Sequence, residues 1–209
     1  MRAGQPRIVR LTAEQLTASA QDLGVLLADV VEGGSSLGFL APFDREAAAD
    51  WWRGLAPAVA DGRLAIWAAH DDGSRDAGHD AAHDAARVIG TVSVGFVDKP
   101  NGRHRAEILK LMVHSSARGQ GLARALLATA EQAAAEAGVT LLILDTETGS
   151  PAESLYRSGG WTEAGVIPDY AADPAGALHP TSLFFKKIGG SSAARPGPAR
   201  QYRSAARYR

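Results

Sequence analysis

Two glycines, placed where an apolar strand pattern gives way to an alanine-rich helix pattern, constrain this chain more than any other feature. Residues 106–113 alternate as a strand does, with Glu107, Leu109, Leu111 and Val113 expected on one face. The motif Arg118-Gly-Gln-Gly-Leu-Ala123 follows. It leads directly into a helix pattern closed by Gly138, with Leu122, Leu126, Ala130 and Ala133 along one side. Glycine at such a junction lets successive backbone N–H groups converge on an anion, and the helix N-terminus adds its dipole. The unit is therefore an anion cradle suited to a diphosphate, or else only a tight turn between strand and helix. A nicotinamide fingerprint of the form G-x-G-x-x-G is broken, because Arg124 stands at the third glycine position.

The flanking sequence extends this unit into an α/β domain. Residues 7–11 alternate like a short strand, and Thr12 with Gln15 forms a capping box for a helix carrying Leu16, Leu23, Leu26, Leu27 and Val30. Asp44 reads as the N-cap of a second helix through Ala60. Strands are expected at 64–69 and 88–97. Residues 140–145 are nearly continuously apolar, as in a central strand covered on both faces. Ser150-Pro-Ala-Glu153 is a second capping box, opening a short helix that carries Tyr156 and stops at Gly159-Gly160. Residues 161–167 and 181–187 close the sheet.

Composition narrows the chemistry. The 209 residues include no cysteine, which removes disulfides, thiolate nucleophiles and Cys-based zinc sites. No apolar run reaches the ~18 residues of a membrane span, and the first ten residues lack a signal-peptide core, so a cytoplasmic chain is expected. The net charge of −1 is a poor summary: residues 189–209 hold five arginines and no acid, leaving −6 for residues 1–188. Rich in Gly, Ser, Pro and Ala, that tail is expected to be disordered. Its arginines are read as a solvated terminus rather than a nucleic-acid arm. Residues 70–86, dominated by Asp, Ala and His, read as an overgrown hairpin loop within a single domain spanning 1–188. His79-Asp-Ala-Ala-His83 in that loop has zinc-helix spacing, but its low-complexity setting favours a solvated loop and no metal.

Glu107 and Asp145 are carboxylates on strands flanking the cradle, where open α/β sheets place their ligands. Charged groups in apolar strands are costly without a partner or a function, so each is a site residue or one half of a salt bridge. Tyr156 is a site residue or a packed aromatic.

Arg118-x-x-Gly121-x-Ala123, after Leu111-Met112-Val113, resembles the pyrophosphate motif R/Q-x-x-G-x-G/A of the GNAT family of N-acetyltransferases. The element order is similar across residues 7–188, outside the His/Asp/Ala loop and the tail. The resemblance implies a mixed, mostly antiparallel sheet of about six to seven strands flanked by helices. It implies acetyl transfer from acetyl-CoA to a primary amine, by direct attack in a ternary complex. The backbone amides of Arg118, Gly119, Gln120, Gly121, Leu122 and Ala123 would hold the pyrophosphate, Met112 and Val113 would pair with the pantetheine, and an N–H near Val113 would stabilise the oxyanion. Glu107 and Asp145 would bind and deprotonate the amine, and Tyr156 would protonate the leaving thiolate. The family pattern N-x-x-A-x-x-x-Y falls on Gly149, Ala152 and Tyr156, so glycine replaces the asparagine and Ser150 is the substitute contact.

The expected acceptor is a small-molecule amine; a protein or peptide acceptor and a noncatalytic acyl-CoA-binding module are the alternatives. A homodimer stays open and no membrane contact is expected. His104, His114, Glu32, Phe39, Asp44, Asp169, Tyr170 and His179 lie in segments near the proposed strand or able to line an acceptor pocket, with a packing or surface role as the plainer reading of each.

Overall fold

The computed structural model describes residues 6–35, 37–71 and 87–189. The His/Asp/Ala segment 72–86, with its His79/His83 pair, and the tail from residue 190 lie outside the described residues. Seven strands form one sheet in the order β1-β2-β3-β4-β5-β7-β6, where β1 is Arg7–Arg10, β2 Leu64–His70, β3 Val88–Phe96, β4 Arg105–Val113, β5 Leu141–Glu147, β6 Thr162–Ala172 and β7 Leu178–Lys187. Only β4 and β5 pair in parallel; every other neighbour is antiparallel. The closing hairpin β6–β7 is longer at its turn end than the sequence pattern suggests.

Helices cover both faces. On one side lie α1 (Ala13–Ala18), α2 (Ala20–Glu32), α3 (Arg45–Gly54) and α4 (Ala56–Ala60), around a core that includes Leu16, Leu23, Leu27, Trp52, Ile66 and Met112. On the other lie α5 (Leu122–Glu136) and α6 (Pro151–Ser158), over Val92, Val94, Ile108, Leu126, Leu142 and Tyr156. The Thr12 capping box forms as expected, with both reciprocal bonds present. The single helix expected after it is broken at Ser19. The ladder nevertheless continues through Ser19, whose N–H donates to the Gln15 carbonyl at 2.9 Å and whose carbonyl accepts from the Leu23 N–H at 3.0 Å. The second expected helix is likewise split at Leu55, because Pro57 has no N–H to offer the preceding turn.

Two further departures shape the site. Residues Glu107, Leu109, Leu111 and Val113 do not share a face. Leu109 packs toward the α1–α4 core, whereas Leu111 and Val113 pack toward the α5–α6 core. The cause is a bulge: three residues of β4 advance while two of β3 do, between the pairs Ser93↔Leu109 and Thr91↔Met112. Lys110 sits in this bulge with φ 49°, a left-handed conformation uncommon for a residue with a side chain. The second departure concerns β5, which is interior but not covered on both faces. Leu142 and Leu144 are buried beneath the helices, Leu141 and Ile143 are half-buried, and Asp145 is exposed.

Helix α5 approaches the sheet closely because Gly90 of β3 lies beneath it. A Cβ at that position would meet Leu126 Cδ1 at 2.9 Å and the Met112 carbonyl at 3.1 Å. Gly90→Ala should therefore lower the unfolding free energy by about 1–3 kcal/mol, the cost of overpacking, as measured by urea denaturation.

Candidate active site

The parallel pair β4–β5 is joined over only three positions: Arg105↔Leu141, Ala106↔Leu142 and Glu107↔Ile143. Both strands continue well beyond that register, so the sheet opens into a gap that begins at Glu107. Lys110 marks the bend that turns β4 away. Inside the gap β4 offers a main-chain donor. The His114 N–H donates to the Ile89 carbonyl of β3 at 2.9 Å. Neighbouring amides of a strand point to opposite sides, so the Val113 N–H faces away from β3 and into the gap. The Val113 carbonyl on that side accepts from Arg118 Nε at 3.3 Å.

The glycine-led junction lies at the end of this gap. Gly119 and Gly121 have φ values of 77° and 82°, the left-handed region in which glycine alone is unstrained. Gly121 is the N-cap of α5 and makes no side-chain cap bond. Among the described residues, the first amide after Arg118 with a main-chain acceptor is that of Ala125, bonded to the Gly121 carbonyl at 3.1 Å. The amides from Gly119 through Gln120, Leu122 and Ala123 to Arg124 are thus left to an external anion at a helix N-terminus. The room and donors fit a diphosphate.

This junction is braced from α2. Asp29 accepts from Ser115 N–H at 2.9 Å and from Ser115 Oγ at 2.8 Å. Burial works against the Asp29 carboxylate, but the Ser115 bonds and the nearby charges of His114 and Arg118 hold it below its ordinary range. His114 is buried against Ser116 and Arg87, so its place is structural.

At the other end of the gap Glu107 of β4 lies within the field of Asp145 of β5. Burial first, and the negative charge of Asp145 second, push the Glu107 carboxyl above its ordinary value, while Lys110 pulls it down. Tyr156 is 6% exposed and meets Trp161 edge-on at 5.8 Å and Phe184 at a tilt at 6.2 Å. Burial and the charge of Asp145 push its phenol well above the usual range, so it keeps its proton at any physiological pH. Asp145 therefore couples electrically to both Glu107 and Tyr156, which lie on different elements.

Gly149, at the end of β5, has φ 80°. Glycine and asparagine are the residues that best tolerate this conformation, which gives the exchange at this position a backbone reason. Ser150 caps α6 by accepting from the Glu153 N–H at 3.2 Å, and its hydroxyl also lies 3.4 Å from Thr146 Oγ1. The reciprocal half of that capping box differs from expectation, since the Glu153 carboxylate takes the Gly149 N–H instead, at 2.5 Å. Ala152 packs against the core beside Tyr156. Met112 is buried among the α1–α4 side chains, and by the same alternation its main chain faces β3, where it pairs with Thr91, so Val113 rather than Met112 faces the gap.

Among the remaining sequence candidates, Phe39 lies at the site, over Lys110. Asp44 is spent as the N-cap of α3. His179 bridges Glu147, at 3.8 Å, and Asp173, at 3.0 Å. Glu32 and His104 are exposed, as are Asp169 and Tyr170 on β6. Among the described residues, no group of three or more His, Asp or Glu side chains is arranged to hold a metal, and no helix is long and apolar enough to cross a membrane. Lys110 and Trp51 are the site residues that the sequence reading missed. A lysine in the middle of an apolar strand carries the same signal of cost that singled out Glu107.

Residues 44–161 match the acetyltransferase (GNAT) family. The chain is 32% identical over 151 residues to N-acetyltransferase 8B of Rattus norvegicus, covering 68% of each. Its fold is similar to that of ribosomal-protein-alanine N-acetyltransferase from Brucella melitensis, with TM-score 0.66 and 26% identity, over 87% of this chain and 99% of that one. It is also similar to a GNAT superfamily phosphinothricin acetyltransferase from Sinorhizobium meliloti in complex with acetyl-CoA, with TM-score 0.69 and 17% identity, over 93% and 94% of the two chains.

Proposed function

Because this chain belongs to the acetyltransferase (GNAT) family and is an acetyl-CoA-dependent N-acetyltransferase, we propose that it acetylates the primary amine of a small molecule by direct attack in a ternary complex. The observation that carries this reading is the gap between β4 and β5, with an anion cradle at one end and a coupled Glu107–Asp145–Tyr156 set at the other. The amides of residues 119–123 hold the diphosphate beside Arg118, whose own N–H is turned to the Ser115 carbonyl. The edge of β4 at Val113 takes the pantetheine as an added strand, with Met112 as its buried neighbour on β4 and Ser150 and Ala152 on the facing side. Acetyl-CoA supplies the activated acyl group; the protein supplies position and proton transfer.

The acceptor arrives as an ammonium of pKa near ~10 and must lose a proton before it attacks. Glu107 and Asp145 bind that cation and take the proton, directly or through one water. An elevated Glu107 is the better base for this task, because its conjugate acid is closer to the working pH. The Val113 N–H donates to the carbonyl oxygen as charge develops there. Tyr156, still protonated, gives its proton to the departing sulfur. The chain has no cysteine, so no cysteinyl acyl-enzyme enters the route. Such a chain needs no oxidising compartment, in keeping with action in the cytoplasm.

Within the family, Lys99-Pro-Asn-Gly102, Arg105-Ala-Glu107, Lys110-Leu-Met-Val113, Asp145-Thr-Glu147 and Leu178-His-Pro-Thr181 are similar to stretches of tabtoxin resistance protein. That points to an amino-acid-like toxin or antibiotic as acceptor. The likeness to a ribosomal-protein-alanine acetyltransferase favours a peptide acceptor as the second reading. Against a long chain, the Ala41 N–H reaches across to the Pro174 carbonyl at 2.8 Å and bridges the acceptor end. Thiol release with amino acids and with short peptides, compared at equal concentration, separates the two; faster turnover on peptides would reverse our order.

Glu107→Gln tests the base. We expect kcat/KM for the amine to fall by ~10²-fold or more, and its rise with pH across the elevated Glu107 ionisation to vanish. A variant with an unaltered pH–rate profile removes Glu107 from that role.

A further inference from the structure

Lys110 places an ammonium group in the middle of a central strand, a position that costs free energy unless several partners share it. Three separate features hold it. Nζ donates to the Leu37 carbonyl at 2.7 Å. It lies 5.4 Å from the ring centroid of Phe39 and 5.5 Å from that of Trp51, within cation–π range of both. It also sits in the field of Glu107 and Asp145. The bulge at this residue turns the side chain toward the loop of residues 37–43, between α2 and α3. That loop is compact, since Phe39 stacks on Phe43 at 4.5 Å and meets Trp51 edge-on at 5.3 Å. Its far side is tied to the turn of the β6–β7 hairpin through Ala41 and Pro174.

We propose that Lys110 is a positioning residue, which pins the 37–43 loop over the acceptor end of the site and balances the charge of the carboxylate pair from the same place. This rests on Glu107 and Asp145 being the pair that receives the amine proton. The charges that act on Glu107 are those of Asp145 from β5 and Lys110 from its own strand, and the rings from the helical layer, Phe39 and Trp51, stand against the Lys110 ammonium and carry no charge. Removing the Lys110 charge leaves burial and Asp145 unopposed, so the Glu107 carboxyl moves further up and the base is recruited only at higher pH.

The test follows the carboxyl itself, in the full chain, by 13C NMR titration, with the Glu107 resonance assigned by its loss in Glu107→Gln. In Lys110→Met and in Lys110→Gln the Glu107 midpoint should rise by about one pH unit, while Lys110→Arg stays near the parent. Amide exchange across residues 37–43 should quicken in Lys110→Met. It should stay near the parent in Lys110→Gln, which keeps a donor for the Leu37 carbonyl. Should Lys110→Met fail to fold, Lys110→Gln still reads the charge. An unmoved Glu107 midpoint in a folded charge-removing variant overturns the proposal, as does unchanged exchange of the loop in Lys110→Met. In the acetylation assay the acid limb of kcat/KM should move with the carboxyl. A moved carboxyl beside an unmoved limb counts against Glu107 as the base and leaves the assignment of Lys110 supported.

Discussion

Replacing Gly121 by glutamate is expected to weaken acetyl-CoA binding by at least ~30-fold, from two effects that add at one position. The backbone of Gly121 is left-handed, with φ 82°, and a side chain there costs about 1–2 kcal/mol. The new carboxylate then stands at the N-terminus of α5, among amides that would face a diphosphate. Like charges at ~4 Å repel by about 1 kcal/mol in water and about 4 kcal/mol near a protein surface. Gly121→Ala carries the strain without the charge, so it should lose ~10-fold and leave the remainder to electrostatics. Nothing lies within 4 Å of a Cβ at Gly121, which keeps the packing of the fold out of the comparison. Calorimetric titration with acetyl-CoA measures both variants. Parent-like affinity in Gly121→Glu would remove the diphosphate from the cradle.

Tyr156→Phe should divide turnover from binding. The ring packs against Trp161 and Phe184 and is retained, so the fold and the acetyl-CoA affinity should change little. Only the hydroxyl is lost, and with it the proton for the departing thiolate. General-acid catalysis is worth ~10²–10⁴-fold, and we expect kcat to fall within that range. Burial and Asp145 push the phenol upward, so the parent enzyme should show no loss of this acid across ordinary assay pH. If the variant instead loses acetyl-CoA binding while kcat at saturation survives, Tyr156 is a packing residue and the acid lies elsewhere.

Local pattern made much of this fold legible in the sequence. The Thr12 capping box and the Asp44 and Ser150 caps rest on hydrogen bonds between near neighbours in the chain, and the start of α5 rests on the left-handed backbone of Gly121. The break at Leu55 was local as well, but depended on Pro57 overruling an apolar stripe that otherwise runs on. What could not be read was the bulge at Lys110. Alternation of apolar residues continues through it, and the extra residue shows only in the pairing with β3. Every consequence of that bulge was therefore hidden: the split faces of β4, the short register with β5, and the lysine beside the carboxylates. Of the proposed site residues, Glu107 and Asp145 stood out as carboxylates in apolar strand patterns, and Tyr156 through its resemblance to the family pattern. Their coupling through Asp145 needed the fold to bring β4, β5 and α6 together.

The most direct test of the account mixes the protein and acetyl-CoA with a panel of primary amines, including amino-acid-like β-lactams, and follows free thiol. The account predicts thiol release that depends on both the amine and the protein, saturates in each substrate, and yields the N-acetyl product in equal amount. Tight acetyl-CoA binding with no amine raising thiol above background would contradict it, and would make the cradle part of a binding module.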